Sequence, residues 1–177
     1  MYLALHLNSP LMQPNFLIIF LAALVPMAVG FIWYNPKVFG TAWMQASGMT
    51  QEKAKSSNMF LVFGLSFLFA LFLSIEMTFL VIHQVHLSSI LMNEPDFHDP
   101  NGQLHHWYLD FMEKYGKNFR TFKHGALHGT IAGILLAFPI VATNGLFEQK
   151  SWKYIWINSG YWIVSFALMG GVICAFS

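Results

Sequence analysis

The residues of this chain that can carry chemistry are its histidines and one glutamate. Seven of the eight histidines fall between His83 and His128. His83 and His86 close one long apolar stretch, and His124 and His128 open the next. Antiparallel helices joined by one connection bring their shared ends to the same level, so these four imidazoles are expected at one mouth. His124 and His128 stand one helical turn apart, a spacing at which two imidazoles reach the same ion. His98, His105, His106, Asp99 and Asp110 lie in the connection above and offer further ligands. Imidazole suits zinc, copper, iron or nickel. With aspartates rather than cysteines nearby, zinc or copper is the expected ion, and haem is the other cofactor the pattern admits. A plainer reading stands beside this one. Histidine is amphipathic and suits a membrane surface; His86, His98, His105 and His106 can simply be wet, and His124 can be an ordinary polar helix entry. His83 and His128 are expected to lie deepest.

Glu76 lies in a stretch that is otherwise free of Asp, Glu, Lys and Arg from Asn58 to Ile90. An ionisable group in the middle of a span costs about 2.5–3.5 kcal/mol on insertion scales. It is therefore expected to face a bundle interior. There it either serves a proton relay or, kept neutral, makes one interhelical hydrogen bond to neighbours near Thr78, to Ser66 or Ser74 of another copy, or to His128. His83, seven residues on, projects from nearly the same helix face. Nothing else has catalytic spacing. No Gly-rich phosphate loop follows a strand, no nucleophile elbow accompanies a Ser–His–Asp order, and His-Glu-x-x-His does not occur. The chain reads as a non-enzyme.

The elements that must position these groups follow from composition. Of the 177 residues, 56% are hydrophobic and 10% charged, where soluble domains carry about 25% charged residues. The net charge of +1 leaves no electrostatic footprint for nucleic acid. The single cysteine, Cys174, excludes an internal disulfide and a thiolate metal cluster. Lys37 is the first Lys or Arg, so the N-terminus lacks the basic flank of a signal peptide and the first apolar stretch is expected to remain.

Four stretches reach the roughly 20 residues a helix needs to cross a bilayer: residues 15–34, 58–90, 123–143 and 154–176. Asn15 or Gln13-Pro14 starts the first, Asn35-Pro36 ends it, and Pro26 is expected to kink it. Residues 37–57 form a polar loop with a helix cap at Thr50, and 144–153 a tight turn. Residues 91–122 are the one sizeable region outside the membrane. After turn signals at 93–96 and 99–102, Leu104, Trp107, Tyr108, Phe111, Met112, Tyr115 and Phe119 recur at helical spacing. They predict a short amphipathic helix, lying in the interface or capping the bundle. The expected fold is an all-α integral membrane protein, one domain over 1–177, with four transmembrane helices and this interfacial helix between spans two and three.

Helices in lipid associate through close backbone approach. Gly125, Gly129, Gly133 and Ala137 repeat every four residues in the third span, and Ala167, Gly171 and Ala175 in the fourth. These ridges are expected to face each other, a second copy of the chain, or another membrane subunit. Lysines flank the first span zero against three, counting Lys37, Lys53 and Lys55 after it. The positive-inside rule then puts both termini and the 91–122 segment outside the cytoplasm.

Trp33-Tyr34-Asn35-Pro36, Phe39-Gly40, Trp43, Gly48 and the Thr50-Gln51-Glu52 start are followed near the end by Asn144, Phe147-Glu148, Asn158, Gly160-Tyr161 and Met169-Gly170. In this order they resemble a bacterial membrane family, domain of unknown function family 1761, over roughly Asn15 to Ala175. The resemblance implies four membrane helices and a bacterial inner membrane, and it carries no activity or site residue. The long histidine-bearing segment departs from the family's usual length. Two functional classes follow. The first is a non-enzymatic structural or accessory subunit of a membrane assembly. The second is a metal- or haem-binding, or proton-coupled, transporter or redox partner using Glu76 with His83, His86, His124 and His128.

Overall fold

Each long apolar stretch begins where a short polar side chain takes up a free backbone N–H of the first helical turn. The computed structural model describes residues 14–177. Asn15 caps Ile18, Asn58 caps Leu61, Thr121 caps His124 and Ser151 caps Tyr154. Thr50 likewise caps the short helix Gln51–Ser56, as its sequence indicates. Gln13, the alternative start of the first helix, lies outside the described residues. Among the described residues the fold is all-α, with four helices long and apolar enough to cross a membrane: Phe16–Trp33, Met59–Val81, Phe122–Phe147 and Trp152–Phe176. They are the first to fourth spans below. Their outward surfaces are apolar, with Phe16, Phe60 and Leu135 among many exposed large side chains, as a lipid-facing surface requires.

The fourth span is the hub. It packs against each of the other three, and 44% of its apolar window is buried, against 11% for the second span. The core joins Ala22, Met77, Val81, Ile82, Phe166, Met169 and Ile173. Ser74 Oγ donates to Ile19 O at 2.8 Å and ties the second span to the first. Pro26 is accommodated inside an uninterrupted first span.

Two spans differ from the sequence expectation. Residues 58–90 do not form one helix. Ile82 is extended (φ −108°, ψ 96°), and a second helix, His83–Leu91, starts after it. The third span runs past residue 143 to Phe147, and it contains a π turn over Gly133–Ala137. The turn precedes Pro139, which has no N–H to return to Leu135; the Phe138 N–H reaches back instead to Gly133 O.

The glycine ridge of the third span is used inside the chain. A Cβ on Gly125 or Gly129 would overlap the carbonyl oxygens of Gly170 and Phe166, and one on Gly133 would come within 2.6 Å of Ile163 Cα. The answering face of the fourth span is therefore Ile163, Phe166, Ala167 and Gly170. Of the expected ridge, Ala167 belongs to this seam, Gly171 makes room for the Phe122 ring at the start of the third span, and Ala175 is half-buried. Ala137 lies in the π turn and joins the core.

The predicted amphipathic helix is Gln103–Tyr115. Its inner side is Tyr108, fully buried edge-on against Phe97 at 5.0 Å, with His105 beside it. Phe119 falls outside this helix, beyond Gly116.

A histidine cluster at one end of the bundle

The break at Ile82 decides which histidines meet. It frees carbonyls that a continuous helix would occupy. His86 Nε2 donates to Phe79 O at 2.8 Å, and Cys174 Sγ reaches Val81 O at 3.5 Å. His86 thus repairs the interrupted ladder and does not join the other three histidines, a correction to the four-histidine mouth. Gln84 Nε2 donates to Asn118 O at 2.9 Å and holds the restarted helix to the 91–122 segment.

His83 then meets the third span. There the pairs His124-Gly125 and His128-Gly129 repeat one turn apart. The glycines face the fourth span at backbone contact. Adjacent helix positions differ by about 100°, so the histidines turn toward the second. His83 Nε2 and His124 Nε2 lie 2.9 Å apart, one ring nitrogen donating to the other. The ring centroids are 5.0 Å apart for His83–His124 and His83–His128, and 4.6 Å for His124–His128. One nitrogen from each ring can be chosen so that all three lie within 4.8 Å of one another. Zinc–nitrogen bonds of 2.0–2.1 Å put tetrahedral ligand nitrogens about 3.3 Å apart. The cluster brackets that value, and small ring rotations reach it.

Phe119 walls the cluster. Its ring lies 5.0 Å from His124 and 6.2 Å from His83. To place it there the backbone takes φ 62°, a left-handed conformation that is costly for a bulky residue. The Phe119 carbonyl accepts from the Thr121 N–H at 2.8 Å and from Cys174 Sγ at 3.2 Å. Partial desolvation, then the His128 and His86 rings, hold the His83 imidazole below its ordinary range. At neutral pH it is in the neutral, ligating form. His83, expected with His128 to lie deepest, is instead exposed, and His124 and His128 are half-buried, so the cluster opens to one side.

The remaining candidates serve the local fold. His98 Nε2 donates to Met92 O at 2.6 Å, and buried His105 donates through Nδ1 to Phe97 O at 3.0 Å. His106 rests against the His105 ring. Asp99 accepts from the Asn101 N–H in a turn, and Asp110 is exposed. Glu76 corrects a second expectation: it points outward from the bundle, into an apolar cleft, and no residue of the chain hydrogen-bonds to it among those described.

A second polar cluster, at the opposite end, was not singled out from residue chemistry. Tyr34 OH and Trp43 Nε1 both donate to Asn158 Oδ1, at 3.1 and 3.2 Å. Asn158 Nδ2 donates to Tyr154 O at 2.8 Å, Trp33 Nε1 to Ile157 O at 3.0 Å, and Lys150 Nζ to Ser47 O at 3.2 Å. Burial, reinforced by the Tyr161 and Tyr154 hydroxyls, pushes the Tyr34 hydroxyl far up, so it stays a neutral donor. The sequence signal for this clamp was the family pattern itself, whose first and last parts meet here.

No curated protein matches the chain, and no solved structure does. Residues 17–174, nearly its full length, match the model of a family described as a protein of unknown function (DUF1761), and the chain belongs to that family.

Proposed function

We propose that this is a non-enzymatic metal-binding membrane protein that holds one zinc or copper ion through His83, His124 and His128. The observation that carries the reading is the convergence of three ligand nitrogens within 4.8 Å, from the helix that follows the second span and from the third span. The strained Phe119 beside them supports it, because such strain persists where surrounding structure holds it for a purpose. Three neutral imidazoles leave the ion's charge uncompensated and a fourth position open. Such a site takes up and releases its ion more readily than a closed four-ligand one. The cluster lies beside the 91–122 segment, which we place outside the cytoplasm on the zero-against-three lysine count around the first span. Calorimetric titration of zinc into tag-free protein tests the reading. One ion per chain should bind, and His124→Ala should weaken it at least about tenfold, since even a residue that only orients a ligand is worth about 10–100-fold. Equal binding by His124→Ala would exclude the cluster as the site.

The accessory-subunit reading keeps one observation of its own. The second span is open over most of its surface, while the Gly125, Gly129 and Gly133 ridge is taken up within the chain. A partner subunit would therefore dock on the second span, and cross-linking from a cysteine at Phe69 tests for it.

A further inference from the structure

The second and third spans meet at the histidine end, where Val81 also packs on Gly170 and Gly170 on Gly125. They part toward the other end. The second span packs closely on the helix Phe122–Ala132 and has at most marginal contact with the segment Phe138–Phe147. Between them a cleft of about 380 Å³ opens to the side of the bundle, within the ~300–1,000 Å³ range of small-molecule sites. Leu73, Met77 and Leu80 form one wall, the π turn and Ile140 the other, and Trp162 and Phe166 contribute aromatic rings. Those two rings lie 5.6 Å apart at a 54° tilt. Among the described residues, Glu76 is the only ionisable one lining it.

Two polar groups here have no partner among the described residues: the Glu76 carboxyl and the Trp162 indole N–H. Lipid chains would match the shape of the cleft and leave the carboxyl unanswered. A second copy of the chain brings no countercharge either. The Lys and Arg residues within the four spans are Lys123 and Lys153, each in the first turn of its helix. An anion would be repelled. What matches an acidic group among apolar and aromatic side chains is an organic cation with an apolar body, drawn to the carboxylate and to the ring faces. We propose that this cleft binds a hydrophobic organic cation, a quaternary ammonium, a phosphonium or an amphiphilic amine, entering from the bilayer. Glu76 supplies the countercharge and Trp162 with Phe166 the aromatic surface.

Equilibrium dialysis of radiolabelled tetraphenylphosphonium against the detergent-purified full chain tests this. Wild-type protein should bind saturably, one cation per chain. Glu76→Gln removes the countercharge and should weaken binding by more than about tenfold, while Glu76→Asp retains part of it. Neutral triphenylphosphine oxide should not compete. Glu76 faces outward, so Glu76→Gln should melt as wild type does; if it does not fold, Trp162→Leu must show the loss of affinity instead. No saturable binding to wild type, equal binding by Glu76→Gln, or effective competition by the neutral oxide would each overturn the proposal. Zinc binding at the histidines should be the same in Glu76→Gln, which keeps this result independent of the metal reading.

Discussion

His83 Nε2, just past the end of the second span, lies 2.9 Å from His124 Nε2 of the third, across 40 residues of intervening chain. A proton holds that contact in the metal-free protein, and an ion would replace it. The same pair therefore links metal loading to the packing of the second and third spans. Zinc at about 100 times its dissociation constant should add roughly 2.7 kcal/mol of stability. A detergent-solubilised sample should melt higher with zinc than with chelator, and His83→Ala should abolish that difference.

His86 should behave in the opposite way. Its Nε2 is occupied by Phe79 O, so His86→Ala should leave zinc affinity unchanged. It should cost about 0.5–1.5 kcal/mol of stability through the lost hydrogen bond. A melting curve and a zinc titration on the one variant separate the two roles; weakened zinc binding at unchanged stability would make His86 a ligand.

Gly129→Ala should destabilise by about 1–3 kcal/mol, because its methyl group meets the Phe166 carbonyl and forces the third and fourth spans apart. Gly64→Ala is the control: its Cβ meets nothing within 4 Å, and alanine favours the helix by up to about 1 kcal/mol. Thermal unfolding of both variants should give shifts of opposite sign.

Asn158→Ala should leave the Tyr34 hydroxyl and the Trp43 indole without their shared acceptor. A loss of about 1–3 kcal/mol is expected, with zinc binding at the far end of the bundle retained. Tyr34→Phe removes one of the two donors and should cost less. Protease sensitivity of the Gly40–Ser47 region reads out the loosened clamp.

The spans were legible because lipid imposes a length and an apolar composition that survive in any sequence reading. The caps at Asn15 and Thr50 were legible for a similarly local reason. Faces were not. The second span is apolar on every side, so periodicity could not tell that Glu76 points outward. The break at Ile82 carries no Gly or Pro; it is held by His86 and Cys174, residues distant or disguised as ligands. Gly170 and Gly171 are neighbours: Gly171 meets Phe122 at the start of the third span, and Gly170, which spacing did not single out, meets Gly125. Phe119 fell in the same helical series as Tyr108 and Met112, but a left-handed backbone after Gly116 sends it to the histidines instead. His83, His124 and His128 were legible as neighbours because hairpin topology alone brings them to one level.

The metal reading is most directly tested by the metal content and visible absorption of tag-free, detergent-purified protein, alongside a His83→Ala, His128→Ala double variant. Near one zinc or copper per wild-type chain, lost in the double variant, is the expected result. A metal-free wild-type chain that also takes up neither ion on titration, or a double variant that keeps its metal, would contradict it.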